Sequence, residues 1–224
     1  MLTSLFNIGR PIVEDSKNPY IHAAYKYKLN NYRLITDGEM LIRGKNLDIP
    51  EYVKIFMNSN HEALMIANII KDKVVNIIFR TLSGPKQFIK VGPTKLFMYG
   101  IGDLEETFKF GDTILIVEGN LDRDVMKQIY PNTIAIMTNV LSKAQVELLK
   151  GITNNFIFML DNDDSGIKGS QIAKRQFSDC NIKFLNHING LKDAGDIIKL
   201  DISKSKDYEY VLNYYELKIY TLIK

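Results

Sequence analysis

Two short acidic stretches are where this sequence could do chemistry. One is Glu118-Gly119-Asn120-Leu121-Asp122 and the other is Asp161-Asn162-Asp163-Asp164-Ser165-Gly166. Each follows a short apolar run, Thr113 to Val117 before the first and Phe156 to Leu160 before the second. Such runs suit strands buried on both faces. In open α/β sheets, ligands bind beyond the carboxyl ends of the strands. Alternation in an extended chain sends Asp161 and Asp163 to the same side. If the two strands are neighbours, Glu118, Asp122, Asp161 and Asp163 converge at one sheet edge. Carboxylates that close either shift their pKa values upward or bind divalent cations. All-oxygen donors without nearby His or Cys favour Mg²⁺ or Mn²⁺, ions commonly shared with substrate phosphates. The pattern therefore points to phosphoryl transfer. Each half alone is weak, because an aspartate ahead of a helix is often only a cap; the weight lies in the pair. His22, His61 and His187 are scattered and receive no role.

The elements that must hold these residues can be read around them. Thr133 to Met137 is a third apolar run and Ile182 to Leu185 a short fourth. Helical spacing covers Asp122 to Ile129, stopped by Pro131. It also covers Ser142 to Lys150, with Ser142 as cap and Gly151 at the exit, and Ser165 to Phe177. Strand and helix alternate with short links, which predicts an α/β parallel sheet flanked by helices. Ahead of it, Leu64 to Ile70 and Val74 to Thr81 read as paired strands turning at Lys71-Asp72-Lys73. Gly84 to Gly102 reads as a long structured loop. The expected organisation is a smaller mixed α+β subdomain over 1–110, a catalytic domain over 111–203 and a C-terminal helix over 204–224. That helix carries Tyr208, Tyr210, Tyr214, Tyr215 and Tyr220, which serve either an apolar face packed on the body or a docking surface.

Composition excludes several classes. The chain has 224 residues, 46% hydrophobic and 25% charged, which is ordinary for a globular protein and argues against wholesale disorder. No stretch approaches the ~18 apolar residues of a membrane span. The apolar start, Met1 to Phe6, is too short for a secretory signal, so a cytoplasmic protein without membrane contact is expected. With Cys180 alone there is no internal disulfide and no zinc site, and Cys180 reads as a packing residue. Net charge is only +3. Yet Lys71, Lys73, Arg80, Lys86, Lys90 and Lys95 fall within 71–95 against the single acid Asp72. That stretch is either a phosphate-binding surface or a solvated basic face.

The two acidic stretches, with the apolar residue before each, resemble the signatures of the TOPRIM domain. That domain is shared by DnaG-type primases, type IA and II topoisomerases, some nucleases and some repair proteins. The resemblance covers about 113–200. It implies that Glu118, Asp161 and Asp163 organise Mg²⁺ or Mn²⁺ beside the reacting phosphate, with Asp122 as a supporting acid. Upstream, Pro85-Lys86-Gln87-Phe88-Ile89 followed by Leu96-Phe97-Met98-Tyr99-Gly100 resembles the stretch that precedes this domain in DnaG-type primases. Asn76 to Arg80 resembles the strand ending in that family's Gly-Gly-Arg, without the two glycines. Gly190 to Asp196 resembles its Asp-Pro-Asp element, without the proline, making Asp193 and Asp196 further supporting acids.

The resemblance implies a primase core that joins nucleoside triphosphates on single-stranded DNA, with Arg80, Lys86, Lys90 and Lys95 contacting template or nucleotide phosphates. A replicative helicase and a separate zinc-binding, template-recognising protein are the implied partners. A TOPRIM metal-dependent nuclease is the enzymatic alternative, and a replication or repair scaffold the non-catalytic one.

Overall fold

A computed structural model describes residues 33–35, 41–42, 45–46, 53–57, 62–70, 73–81, 88–91, 93–188, 191–199 and 205–223. The described residues divide between Phe97 and Met98 into two compact units.

The front unit holds a five-stranded antiparallel sheet. Its strands are β1 (Arg33–Ile35), β4 (Val53–Met57), β5 (Glu62–Ile70), β6 (Lys73–Thr81) and β7 (Phe88–Val91), in that spatial order. A small hairpin, β2 (Leu41–Ile42) with β3 (Lys45–Asn46), stands beside it in sequence. The expected β5–β6 pair is present, with a register shift between Asn68 and Ile69. Ile66, Ile70, Val75, Ile77, Ile78 and Phe79 are buried. Gly84 to Gly102 is not one long loop. Phe88 to Val91 adds β7 to the sheet, paired with β6 from Ile77↔Val91 to Arg80↔Phe88. Only four residues pair, between Gly- and Pro-rich flanks, so their local signal is that of a loop.

The second unit carries the parallel sheet. Its strands β8 (Ile114–Val117), β9 (Thr133–Ala135), β10 (Asn155–Met159) and β11 (Asn181–Phe184) lie in the order β11-β10-β8-β9, every pair parallel. Ile114 to Val117 and Phe156 to Met159 are buried throughout, as continuous apolar runs predict for strands covered on both faces. The flanking helices are α1 (Leu104–Thr107), α2 (Asn120–Met126), α3 (Lys143–Lys150), α4 (Asp164–Gln176) and α5 (Ser205–Ile223). Ser142 caps α3 as expected: its hydroxyl accepts from Gln145 N at 3.2 Å while the Gln145 side chain returns to Ser142 N at 2.9 Å. Phe177 of the α4 exit packs edge-on against Phe156 and Phe158, with ring centres 4.8 and 5.3 Å apart.

Met98 to Thr107 packs with this sheet. Tyr99 forms an antiparallel bridge to Ala135 at the β9 edge, and Met98, Ile101 and Leu104 are fully buried. Of the tyrosines on α5, Tyr215 is buried with Ile219, and its hydroxyl accepts from Ile188 N at 3.1 Å, so this helix packs a face on the body. Leu217 and Tyr220 point outward. Cys180 is only half-buried, at the turn after α4, rather than a core residue. No helix among the described residues is long and apolar enough to cross a membrane.

Candidate active site

The chain leaves β8 for β9 on one side, then crosses to β10 on the other. The carboxyl ends of β8 and β10 therefore flank a topological switch point, where a crevice opens in sheets of this kind. Val117 pairs with Met159, so Glu118 and Asp161 emerge from adjoining strands within one residue of register. The neighbour condition on which the acidic pattern depended is met.

Glu118 is half-buried, and its Oε2 is buried without a hydrogen-bond partner. Burial raises its pKa, Asp163 and Asp122 add repulsion, and a hydrogen bond from the Asp161 backbone works the other way. Asp161 feels more of this. Burial, then repulsion from Asp122, Glu118, Asp193 and Asp163, pushes its carboxyl up to about 8. Such a shift is what burial among clustered acids produces when their mutual repulsion outweighs the nearest positive charge.

The other acids are partly committed. Asp122 Oδ2 accepts from Gly119 N at 3.0 Å and Oδ1 from Gly195 N at 2.7 Å, tying the start of α2 to the 194–199 turn. Asp163 caps α4, Oδ1 accepting from Gly166 N at 3.0 Å, while Oδ2 pairs with Lys192 Nζ at 2.9 Å. That cap, then the lysine, holds its pKa below the ordinary value. Asp196 is buried and shapes its own loop by accepting from Lys192 N at 2.9 Å; Asp193 is half-exposed and adds to the field on Asp161.

The donors fit a hard divalent cation in chemistry: carboxylate oxygens, one of them buried and unpartnered, around a carboxyl that resists ionising. As placed, no three His, Cys, Asp or Glu side chains among the described residues converge tightly enough to ligate one. The reason is visible in the contacts above, since Asp122 and Asp163 are turned toward backbone donors and Lys192.

Several supports received no role in the sequence reading, although Gly166 lies within the second acidic stretch. A Cβ on Gly166 would lie 1.9 Å from the Asp161 carbonyl oxygen, so the first turn of α4 rests directly on the Asp161 backbone. His187 Nε2 lies 3.0 Å from the Leu160 carbonyl, just before Asp161; a carbonyl only accepts, so Nε2–H donates, and burial lowers the pKa of this imidazole. Arg123 is wholly buried. It donates to Thr133 O at 3.2 Å and pairs with Asp103 and Asp124, and Lys127 joins Asp103 at 2.7 Å. This network fixes α2, which follows Glu118, to β9 and to the 101–103 turn.

In the front unit, the β6–β7 register places Arg80 opposite Phe88 and Ile78 opposite Lys90. Arg80, Phe88 and Lys90 thus share one sheet face, with the Arg80 guanidinium 5.8 Å from the Phe88 ring centre. Lys90 and Lys95 are exposed. Lys86 lies outside the described residues, with Pro85 and Gln87, as do the Lys71–Asp72 turn, Gly190, His22 and His61.

Comparison with known proteins shows what this fold is similar to. Residues 115–198 match the Toprim-like family model. The chain is 31% identical over 166 residues to a DNA primase of Buchnera aphidicola subsp. Baizongia pistaciae (strain Bp), covering 64% of this chain and 28% of that protein. The zinc-binding and RNA polymerase domains of the Aquifex aeolicus primase superpose with a TM-score of 0.56 at 17% identity, over 88% of this chain and 47% of that one. The primase fragment of the bacteriophage T7 primase-helicase protein gives 0.52 at 15% identity, over 70% and 66%. The chain thus spans little more than a quarter of the curated relative. Its fold is that of these bacterial and phage primase structures.

Proposed function

We propose that this chain is a DNA primase catalytic core, which synthesises short RNA primers on single-stranded DNA by divalent-metal-dependent nucleotidyl transfer. The observation that carries the reading is the placement of Glu118 and Asp161 at adjoining strand ends of a Toprim-like sheet. In this reading Glu118, Asp161 and Asp163 hold Mg²⁺ or Mn²⁺. The ion supplies charge neutralisation and acidifies the attacking 3′-hydroxyl. Asp122, Asp193 and Asp196 support the site, Asp122 by fixing the start of α2 and the 194–199 turn. No side-chain nucleophile is required, since the 3′-hydroxyl of one nucleotide attacks the α-phosphorus of the next and pyrophosphate leaves.

Arg80, Lys90 and Lys95 contact template or nucleotide phosphates, as does Lys86 by its place in the motif. Phe88 between Arg80 and Lys90 offers a ring for base stacking, the combination that single-strand surfaces use. A zinc-binding protein for template recognition and a replicative helicase are the proposed partners. Among the relatives, the Aquifex protein carries a zinc-binding domain and the T7 protein a helicase.

The test is primer synthesis on single-stranded DNA of varied sequence, with labelled ribonucleoside triphosphates and Mg²⁺ or Mn²⁺. Short RNA products are expected, reduced ~10²-fold or more in Asp161→Ala. Template cleavage lost in the same variant, without RNA product, turns the reading to a nuclease. Silence even with added zinc-domain and helicase proteins sinks it.

A further inference from the structure

The acidic site carries its own cation. Lys192 Nζ lies 2.9 Å from Asp163 Oδ2, on a side chain that is 57% exposed. Its backbone is pinned on both sides: Asn162 N donates to Lys192 O at 2.7 Å, and Lys192 N donates to Asp196 Oδ2 at 2.9 Å. The main chain is thus fixed to the Asp161–Asp163 loop while the four-carbon stem is free to swing into water. The other oxygen of Asp163 already accepts from Gly166 N, which leaves Oδ2 as the one a metal ion would take. An ammonium and a divalent cation cannot both sit in contact with that oxygen, because they repel each other at such range. A lysine suits an exchangeable role. It makes a single-point contact without the bidentate fork of arginine, and an exposed pair of this kind is weak enough to yield.

We propose that Lys192 is the resident counter-cation of this site: it holds Asp163 when no divalent ion is bound, is displaced when one binds, and thereby sets the site's cation affinity. This rests on the reading of the carboxylates as cation ligands. The measurement is Mn²⁺ binding to the full-length chain at fixed ionic strength, followed by the electron paramagnetic resonance signal of free Mn²⁺. No nucleotide is present, so the readout is independent of catalysis.

Lys192→Met is expected to bind Mn²⁺ about three- to tenfold more tightly than the wild type, from the removal of one nearby positive charge. Lys192→Gln repeats the test with a polar side chain. Lys192→Arg should bind no more tightly than the wild type, and Lys174→Met, at the exposed far end of α4, should leave the affinity unchanged. If the wild type binds Mn²⁺ and both neutral variants bind it equally or more weakly, the counter-cation role is overturned while the metal site stands. If no form binds Mn²⁺, the metal reading falls and takes this role with it.

Discussion

Asp161 is the acid on which burial and crowding at the site act most strongly. Burial and four neighbouring acids push its carboxyl up to about 8, whereas in an unfolded chain it titrates near 3.8. Between those values the unfolded chain has released a proton that the folded chain still binds. Stability therefore falls as pH rises through that window and stays low above it. The uncharged, isosteric Asp161→Asn removes this penalty. In EDTA the variant should be more stable than the wild type at pH 8.5, by on the order of 2 kcal/mol, with the gap closing toward pH 4. Saturating Mg²⁺ should narrow the gap by stabilising the wild type alone. Thermal melts at pH 5 and 8.5, with and without EDTA, measure it, and equal melting at pH 8.5 would mean that the acids do not burden each other.

The same residue marks how far the sequence could be read. Glu118 and Asp161 declared themselves because their types, spacing and preceding apolar runs were all local. The dual use of Asp163 as cap and acid could only be weighed as alternatives, and the structure shows both a cap and an ion pair on one carboxylate. Lys192 lies inside the Gly190 to Asp196 stretch, yet no sequence signal assigned it a role. Its relation to Asp163 depends on a loop returning after β11, which no spacing rule encodes.

Elements show the same division at larger size. Helix α3 was legible to the residue because its box, Ser142 with Gln145, and its exit at Gly151 are local chemistry. Strand β7 was not, because four residues acquire their pairing from β6. Nor was Arg123, which reads as the polar face of a helix and instead lies wholly buried between Asp103, Asp124 and the Thr133 carbonyl. Gly166 belongs to this scale, since it governs how α4 meets β10. Its missing Cβ leaves room for three backbone atoms of Asp161, at 1.9, 2.8 and 2.9 Å from where that Cβ would be. Backbone cannot rotate aside as a side chain does. Gly166→Ala must therefore lift the first turn of α4 and break the Asp163 cap. A loss of about 1–3 kcal/mol in urea unfolding is expected, together with loss of Mn²⁺ binding. Ser170→Ala, one turn along the same helix, serves as the control. Wild-type stability in Gly166→Ala would show that the loop has slack which these distances deny.

For the whole molecule the question is how much of the chemistry each unit holds by itself. Every residue argued to hold a divalent cation lies after Met98, and among the described residues so does a core of its own: Met98, Ile101 and Leu104 are buried with β8 to β10, and Tyr215 and Ile219 are buried on α5. The basic face of Arg80, Phe88 and Lys90 lies wholly in the front unit. A fragment of residues 98–224 should accordingly unfold in one cooperative transition. It should bind Mn²⁺ as the full chain does and keep the alkaline stabilisation of Asp161→Asn, yet make no primer. It should also bind single-stranded DNA at least ~10-fold more weakly, because the phosphate contacts that dominate such binding are gone. Circular-dichroism melts, Mn²⁺ titration and fluorescence anisotropy with a labelled oligonucleotide test these in turn. A fragment without a cooperative melt would make the two units one energetic body. A fragment that still primed would move template binding out of the front unit altogether, and with it the role given to Arg80, Phe88 and Lys90.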